Sequence, residues 1–186
     1  FCQHPKIDRW LFARPTMGRI LAYRQSIEAL ENLESQRLLR VLLGACLVPL
    51  SNVVVNGKGR KYRQGWEPRQ SRPEDVDRLF ESAFHAAVSD IRVYSYRATT
   101  DYHLHRGSAL SLIDSVEPVD VAIFSPPYPN SFDYTDIYNI ELWALGYLKT
   151  RSEDRALRLS TLRSHVQVDL EKRGSTPDSK GLRSVI

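Results

Sequence analysis

Four consecutive residues, Ser125-Pro126-Pro127-Tyr128, combine a hydroxyl, two rigid backbone units and an aromatic ring directly after the apolar run Val119-Asp120-Val121-Ala122-Ile123-Phe124. Each proline fixes φ and removes an amide donor, so the loop is stiff and the carbonyls of Ser125 and Pro126 can point into a cleft. Tyr128 sets a flat π surface beside them. The combination suits a pocket for a planar amine. In any protein the bare tetrapeptide is also turn chemistry, so its surroundings decide between the two readings.

Other constellations carry less. His103 and His105 alternate, which puts both on one side of a strand, but no third metal ligand stands near them in the sequence. Ordinary polar strand positions are therefore the expectation, and no metal is expected. Ser26, Ser51 and His85 show no spacing that reads as a catalytic triad. Cys2 and Cys46 have no C-x-x-C spacing, which argues against a zinc module or a disulfide scaffold and fits a reducing cytoplasm. Between Asn56 and Arg72, Lys58, Arg60, Lys61, Arg63, Arg69 and Arg72 face Glu67 alone. Such a cationic loop either contacts phosphates or is simply solvated.

The elements that position these residues follow from periodicity. Ile20, Tyr23, Ile27 and Leu30 recur at helical spacing, and Leu38, Leu39, Leu42 and Leu43 repeat the pattern, which predicts two helices over Thr16 to Leu50 with a break near Asn32 to Ser35. Arg14-Pro15-Thr16 supplies the start and Pro49 with Ser51-Asn52 the stop. Asn56-Gly57-Lys58-Gly59 and the Gly65 to Pro73 region read as loops. Pro73-Glu74-Asp75 opens a third, amphipathic helix running to Ile91. Tyr102 to Arg106 alternates and reads as a short strand, Ser108 to Ser115 as a short helix, and Val119 to Phe124 as a strand buried on both faces of a parallel sheet. Ile137 to Leu148 reads as a further helix, and the residues from Arg151 as a polar tail.

The 186 residues, with 42% hydrophobic and 26% charged, suffice for one core, and exclude disordered or collagen-like classes. The longest apolar stretch, Leu38 to Leu50, contains Arg40 and is shorter than the roughly 18 residues a membrane span requires, so no membrane partner is expected. No signal-peptide pattern is present, and the first residue, Phe1, leads us to expect a longer chain. The formal charge of +4 is a mild basic bias compatible with nucleic acid.

With its surroundings, the tetrapeptide resembles the catalytic motif of the amino-group DNA methyltransferases, [D/N/S]-P-P-[Y/F/W] at the end of the fourth sheet strand. One branch of that family continues similarly to P-Y-x-N-x-x-D-Y and then E-L-W-x-L-G; this chain has P-Y-P-N-S-F-D-Y at Pro127 to Tyr134 and E-L-W-A-L-G at Glu141 to Gly146. Gly107-Ser108-Ala109 looks like the family's third motif, commonly G-D-A, and Ser51-Asn52-Val53 with the basic loop looks like the insertion before it. The chain departs from the pattern in having Ser108 for the usual Asp and in lacking the glycine-rich D-P-F-x-G-x-G loop.

The resemblance implies a Rossmann-like α/β fold of the S-adenosylmethionine-dependent methyltransferase type with a helical insertion. Residues 1–100 would be the mainly helical region with the basic loop 56–72, residues 101–150 the core strands with the S-P-P-Y loop, and 151–186 a loosely ordered polar tail. It implies base extrusion, stacking of Tyr128 on the base, and hydrogen bonds from its amine to Ser125 Oγ and the Pro126 carbonyl, with Pro127 stiffening the loop. The cofactor, S-adenosylmethionine, would lie at Gly107, Ser108 and Ala109. DNA would meet Lys58, Arg60, Lys61, Arg63, Asn130, Asp133 and Tyr134, although Asp133 equally suits a helix N-cap. Serine in the first motif position favours cytosine N4 over adenine N6, and a restriction endonuclease is the partner the family suggests. Two other functions compete: methylation of an amino group in RNA or protein, and DNA binding by an inactive fragment.

Overall fold

A computed structural model describes residues 2–6, 8–56, 59–96, 103–107, 109–124 and 134–160. Helix α1, Arg14–Glu28, starts with Pro15 in its first turn and buries Thr16, Ile20 and Ile27. Proline fits there because the first amides of a helix have no partner within it. Helix α2, Leu33–Leu50, is capped by Asn32, whose side chain accepts the Ser35 amide at 2.7 Å. This cap is the physical form of the predicted break. Pro49 lies inside the last turn of α2 rather than beyond it.

Helix α3, Pro73–Val93, is fixed at its start by the Asp75 carboxylate, which accepts the Arg72 amide at 2.9 Å. Val76 is buried, and Leu79, Phe80 and Ala83 pack against the core. Farther along the helix Phe84 and Ile91 are exposed, while Ala87 and Val88 are half-buried.

The core sits around α2. Leu43, Leu47 and Leu50 meet Ile20 and Ile27 of α1, Val76 of α3, and Ile140, Ala144 and Leu145 from the later chain. Cys46 shares this core, its Sγ 3.3 Å from the Leu42 carbonyl oxygen, and burial pushes its thiol pKa up. Complete burial of a large aliphatic side chain contributes about 1.5–3 kcal/mol, so these leucines dominate the stability of the layer.

A β-hairpin follows α2. Strands β1, Val53–Asn56, and β2, Gly59–Tyr62, are antiparallel, with Val53 opposite Tyr62 and Asn56 opposite Gly59. Buried Asn52 seats it: its amide donates to the Leu11 carbonyl at 2.9 Å, its side chain to the Trp10 carbonyl at 3.0 Å, and its own carbonyl accepts the Arg63 amide at 2.9 Å. The Thr16 hydroxyl donates to the Ser71 carbonyl and ties α1 to the loop before α3.

Three later elements are short: α4, Ala109–Leu112, continued by a 3-10 turn at Ile113–Ser115; α5, Tyr134–Ile137; and α6, Asn139–Ala144. The helix expected over Ile137 to Leu148 is thus divided at Tyr138. Helix α7, Arg151–Ser160, replaces the expected loose tail over those residues. Its start is a reciprocal cap: the Thr150 hydroxyl accepts the Glu153 amide at 3.2 Å while the Glu153 carboxylate accepts the amides of Lys149 and Thr150.

The expected strands at Tyr102 to Arg106 and Val119 to Phe124 are not formed in the described residues. Ile123 is 95% and Phe124 79% exposed rather than buried. A strand exists only through ladder bonds to a neighbour, and among the described residues the hairpin is the one sheet. No helix among the described residues is long and apolar enough to cross a membrane.

Candidate functional site

The hairpin and the helices that follow the S-P-P-Y segment meet on one side chain, Arg60. Gly59 adopts φ +100, a left-handed conformation in which a side chain is strained, and brings β2 against α5. A Cβ on Gly59 would lie 3.6 Å from Asp136 Oδ2. From this position Arg60 Nη2 donates to Asp136 Oδ1 and Nη1 to Asn139 Oδ1, each at 3.1 Å. The Arg60 side chain is 24% exposed, which shields the ion pair from solvent more than a surface pair would be.

Glu141 lies two residues farther along α6. Its Oε2 is buried with no hydrogen-bond partner, and desolvation holds its carboxyl pKa above the usual range, against smaller opposing effects of its own backbone amide and of Arg60. Beside the Arg60 clamp, Leu11, Val53, Arg60, Lys61, Tyr62 and Asn139 line an open groove of about 370 Å³. Tyr62 has Arg9 over its ring at 5.6 Å and Trp66 at 5.4 Å, and burial raises its phenol pKa. Trp10 packs edge-on to Trp66 at 4.9 Å.

The basic residues therefore separate by role. Arg63 donates from Nε to the Ser51 carbonyl and from Nη2 to the Val48 carbonyl, both at 3.1 Å, so it neutralises the end of α2. Arg60 is engaged by α5 and α6. Lys61 has an exposed side chain, and Lys58 lies outside the described residues. Two arginines of the expected phosphate-binding set, Arg60 and Arg63, thus make internal contacts.

Ser125, Pro126, Pro127, Tyr128, Asn130 and Asp133 also lie outside the described residues. Tyr134 opens α5, half exposed, with its ring stacked on Tyr138 at 6.4 Å. Gly146, the last residue of the E-L-W-A-L-G match, has φ +77 and ends the α6 turn, its amide donating to the Trp143 carbonyl at 3.2 Å. Arg24 Nη1 donates to the Ala144 carbonyl at 3.2 Å and would lie 2.9 Å from a Cβ at Gly146. That glycine is structural.

Of the residues proposed for the cofactor, Ser108 is outside the described residues, and Ala109 begins α4. A Cβ on Gly107 would meet Leu112 Cδ1 at 2.8 Å, so the leucine fills the space over the glycine. Among the described residues there is no group of three or more that could hold a metal ion. Asp136, Asn139 and Glu141 were not singled out as site residues by spacing, since Arg60 and Asp136 are 76 positions apart and no local pattern links them.

No family model, curated protein or solved structure matches this chain.

Proposed function

We propose that this chain carries the base-binding part of an amino-group methyltransferase that acts on DNA, with cytosine N4 as the target. The observation that supports this reading is the extended residue match, P-Y-P-N-S-F-D-Y after Ser125-Pro126 and then E-L-W-A-L-G. In this reading the methyl comes from S-adenosylmethionine. The chain's own residues hold the extruded base: Tyr128 stacks on it, while Ser125 Oγ and the Pro126 carbonyl accept its amine hydrogens and orient the nitrogen lone pair. The fold that goes with this reading is the Rossmann-like α/β type. A companion restriction endonuclease and a cytoplasmic setting belong to the same reading.

Tritium transfer from labelled S-adenosylmethionine by the full-length protein tests it. Counts should enter duplex DNA and fall by about tenfold or more in Tyr128→Ala, the loss of one stacked base. Counts confined to RNA or protein would replace the substrate, and none in DNA would end the proposal.

A further inference from the structure

Arg60 meets the first residue of α6, and at the other end of that helix two further arginines stand close together with one acid between them. Arg24 of α1 and Arg40 of α2 approach the same carboxylate oxygen, Glu28 Oε1, with Arg24 Nε at 3.4 Å and Arg40 Nη2 at 3.8 Å. Both distances exceed the roughly 2.7–3.2 Å of a good N–H···O hydrogen bond. Neither Nε, though buried, has a hydrogen-bond partner. Each arginine side chain is only 26% exposed, so two cations share one carboxylate in a partly desolvated setting. Donors placed in this way are normally matched by acceptors, and the pair therefore keeps both charge and hydrogen-bonding capacity for a second oxyanion.

The turn that ends α6 holds both guanidiniums from the side. Arg24 Nη1 donates to the Ala144 carbonyl at 3.2 Å and lies against Gly146, where a Cβ would come within 2.9 Å of it. Arg40 stands over the ring of Tyr147, 5.7 Å from its centroid, and that ring is exposed, so the pair sits at the surface. Three separate parts of the chain thus fix it.

We infer that Arg24 and Arg40 form a phosphate-binding pair that takes a backbone phosphodiester of DNA. The inference deepens the DNA reading above and rests on it for the source of the phosphate. A guanidinium presents a planar fork of N–H donors that fits two oxygens of a phosphate, and two forks around one acid leave net positive charge for a singly charged phosphodiester. Glu28 competes with that phosphate for the same hydrogens. The contact is to the backbone, so it adds affinity without sequence preference. It is also distinct from the basic loop 56–72, whose Arg60 and Arg63 make internal contacts.

The experiment measures binding of the full-length protein to two DNA duplexes of unrelated sequence, by fluorescence anisotropy across a range of salt concentrations. Arg24→Gln and Arg40→Gln should each weaken both complexes by about tenfold and lower the slope of log K against log salt by about one. Glu28→Gln removes the competing carboxylate and none of the guanidinium donors, so it should tighten both complexes by about threefold. As a gain in affinity, this result stays readable even where an arginine variant fails to fold. Arg78→Gln, which removes a positive charge from α3, should stay within about twofold of wild type.

Wild-type DNA binding that neither Arg24→Gln nor Arg40→Gln weakens would overturn the pair while leaving the DNA reading in place, and so would weaker binding by Glu28→Gln. An equal loss in Arg78→Gln would reduce the effect to net charge and overturn the site. A wild type that binds no DNA would overturn the DNA reading and the phosphodiester with it. Inorganic phosphate that then raises the melting temperature of wild type, and not of Arg40→Gln, would assign the pair to free phosphate instead.

Discussion

Two stretches of similar apolar character end in opposite environments. In α2, Leu43 and Leu47 are fully buried, whereas Ile123 and Phe124 in the run 119–124 are among the most exposed apolar residues described. The difference is in the partners. Helix α2 completes its own backbone hydrogen bonds and then needs only side-chain contacts, which α1, α3 and α6 provide. An extended run must borrow both its ladder bonds and its side-chain cover from other segments, so its composition announces a need without meeting it.

The sharpest way to break this comparison is to truncate one side chain in each region. Leu47→Ala should cost about 2–5 kcal/mol in urea unfolding, because the enclosed site cannot collapse around the missing atoms. Ile123→Ser should stay within about 0.5 kcal/mol of wild type, because the side chain is already in water. Equal losses would mean that the run is buried in solution. A second variant, Gly146→Ala, probes the end of α6. The left-handed backbone and the Arg24 guanidinium together should make it about 1–3 kcal/mol less stable by the same unfolding assay.

A smaller effect than that of Leu47→Ala or Gly146→Ala is expected on pH dependence. Burial raises the Glu141 pKa, so the folded state keeps this proton to a higher pH than the unfolded chain does. The stability from the neutral carboxyl is full below the unfolded value and is lost as pH rises through the folded one. Glu141→Gln should therefore match wild type in acid and exceed it at neutral pH, by under about 1 kcal/mol because the carboxyl is partly screened by solvent. Thermal melts across that range would show it, and a variant less stable at neutral pH would mean that attraction to Arg60 outweighs desolvation.

The same contrast explains what was legible in the sequence. Helices α1, α2 and α3 stand where the apolar spacing puts them, and the Asn32 cap marks their first break. The residues of α7 read as a polar tail by composition, although Thr150-Arg151-Ser152-Glu153 carries a capping-box pattern that names the start of the helix. The sequence reading assigns Asn56 to Gly59 to a loop and names no strand at 53–55, because the three valines follow a helix directly and do not alternate with polar residues. Arg60 and Arg63 looked like phosphate ligands because charge is visible in sequence and a partner many positions away is not. The S-P-P-Y residues remain a sequence-level site, since they fall outside the described residues.

The Cys46 thiol gives the α2 core a clock of its own. Buried among leucines and with its ionisation suppressed, it is shut off from alkylating reagents while the helices are packed. Half-buried Cys2 offers an internal standard on the same chain. The lag between the two modifications counts the spontaneous openings of the helical layer, with no label engineered into the protein.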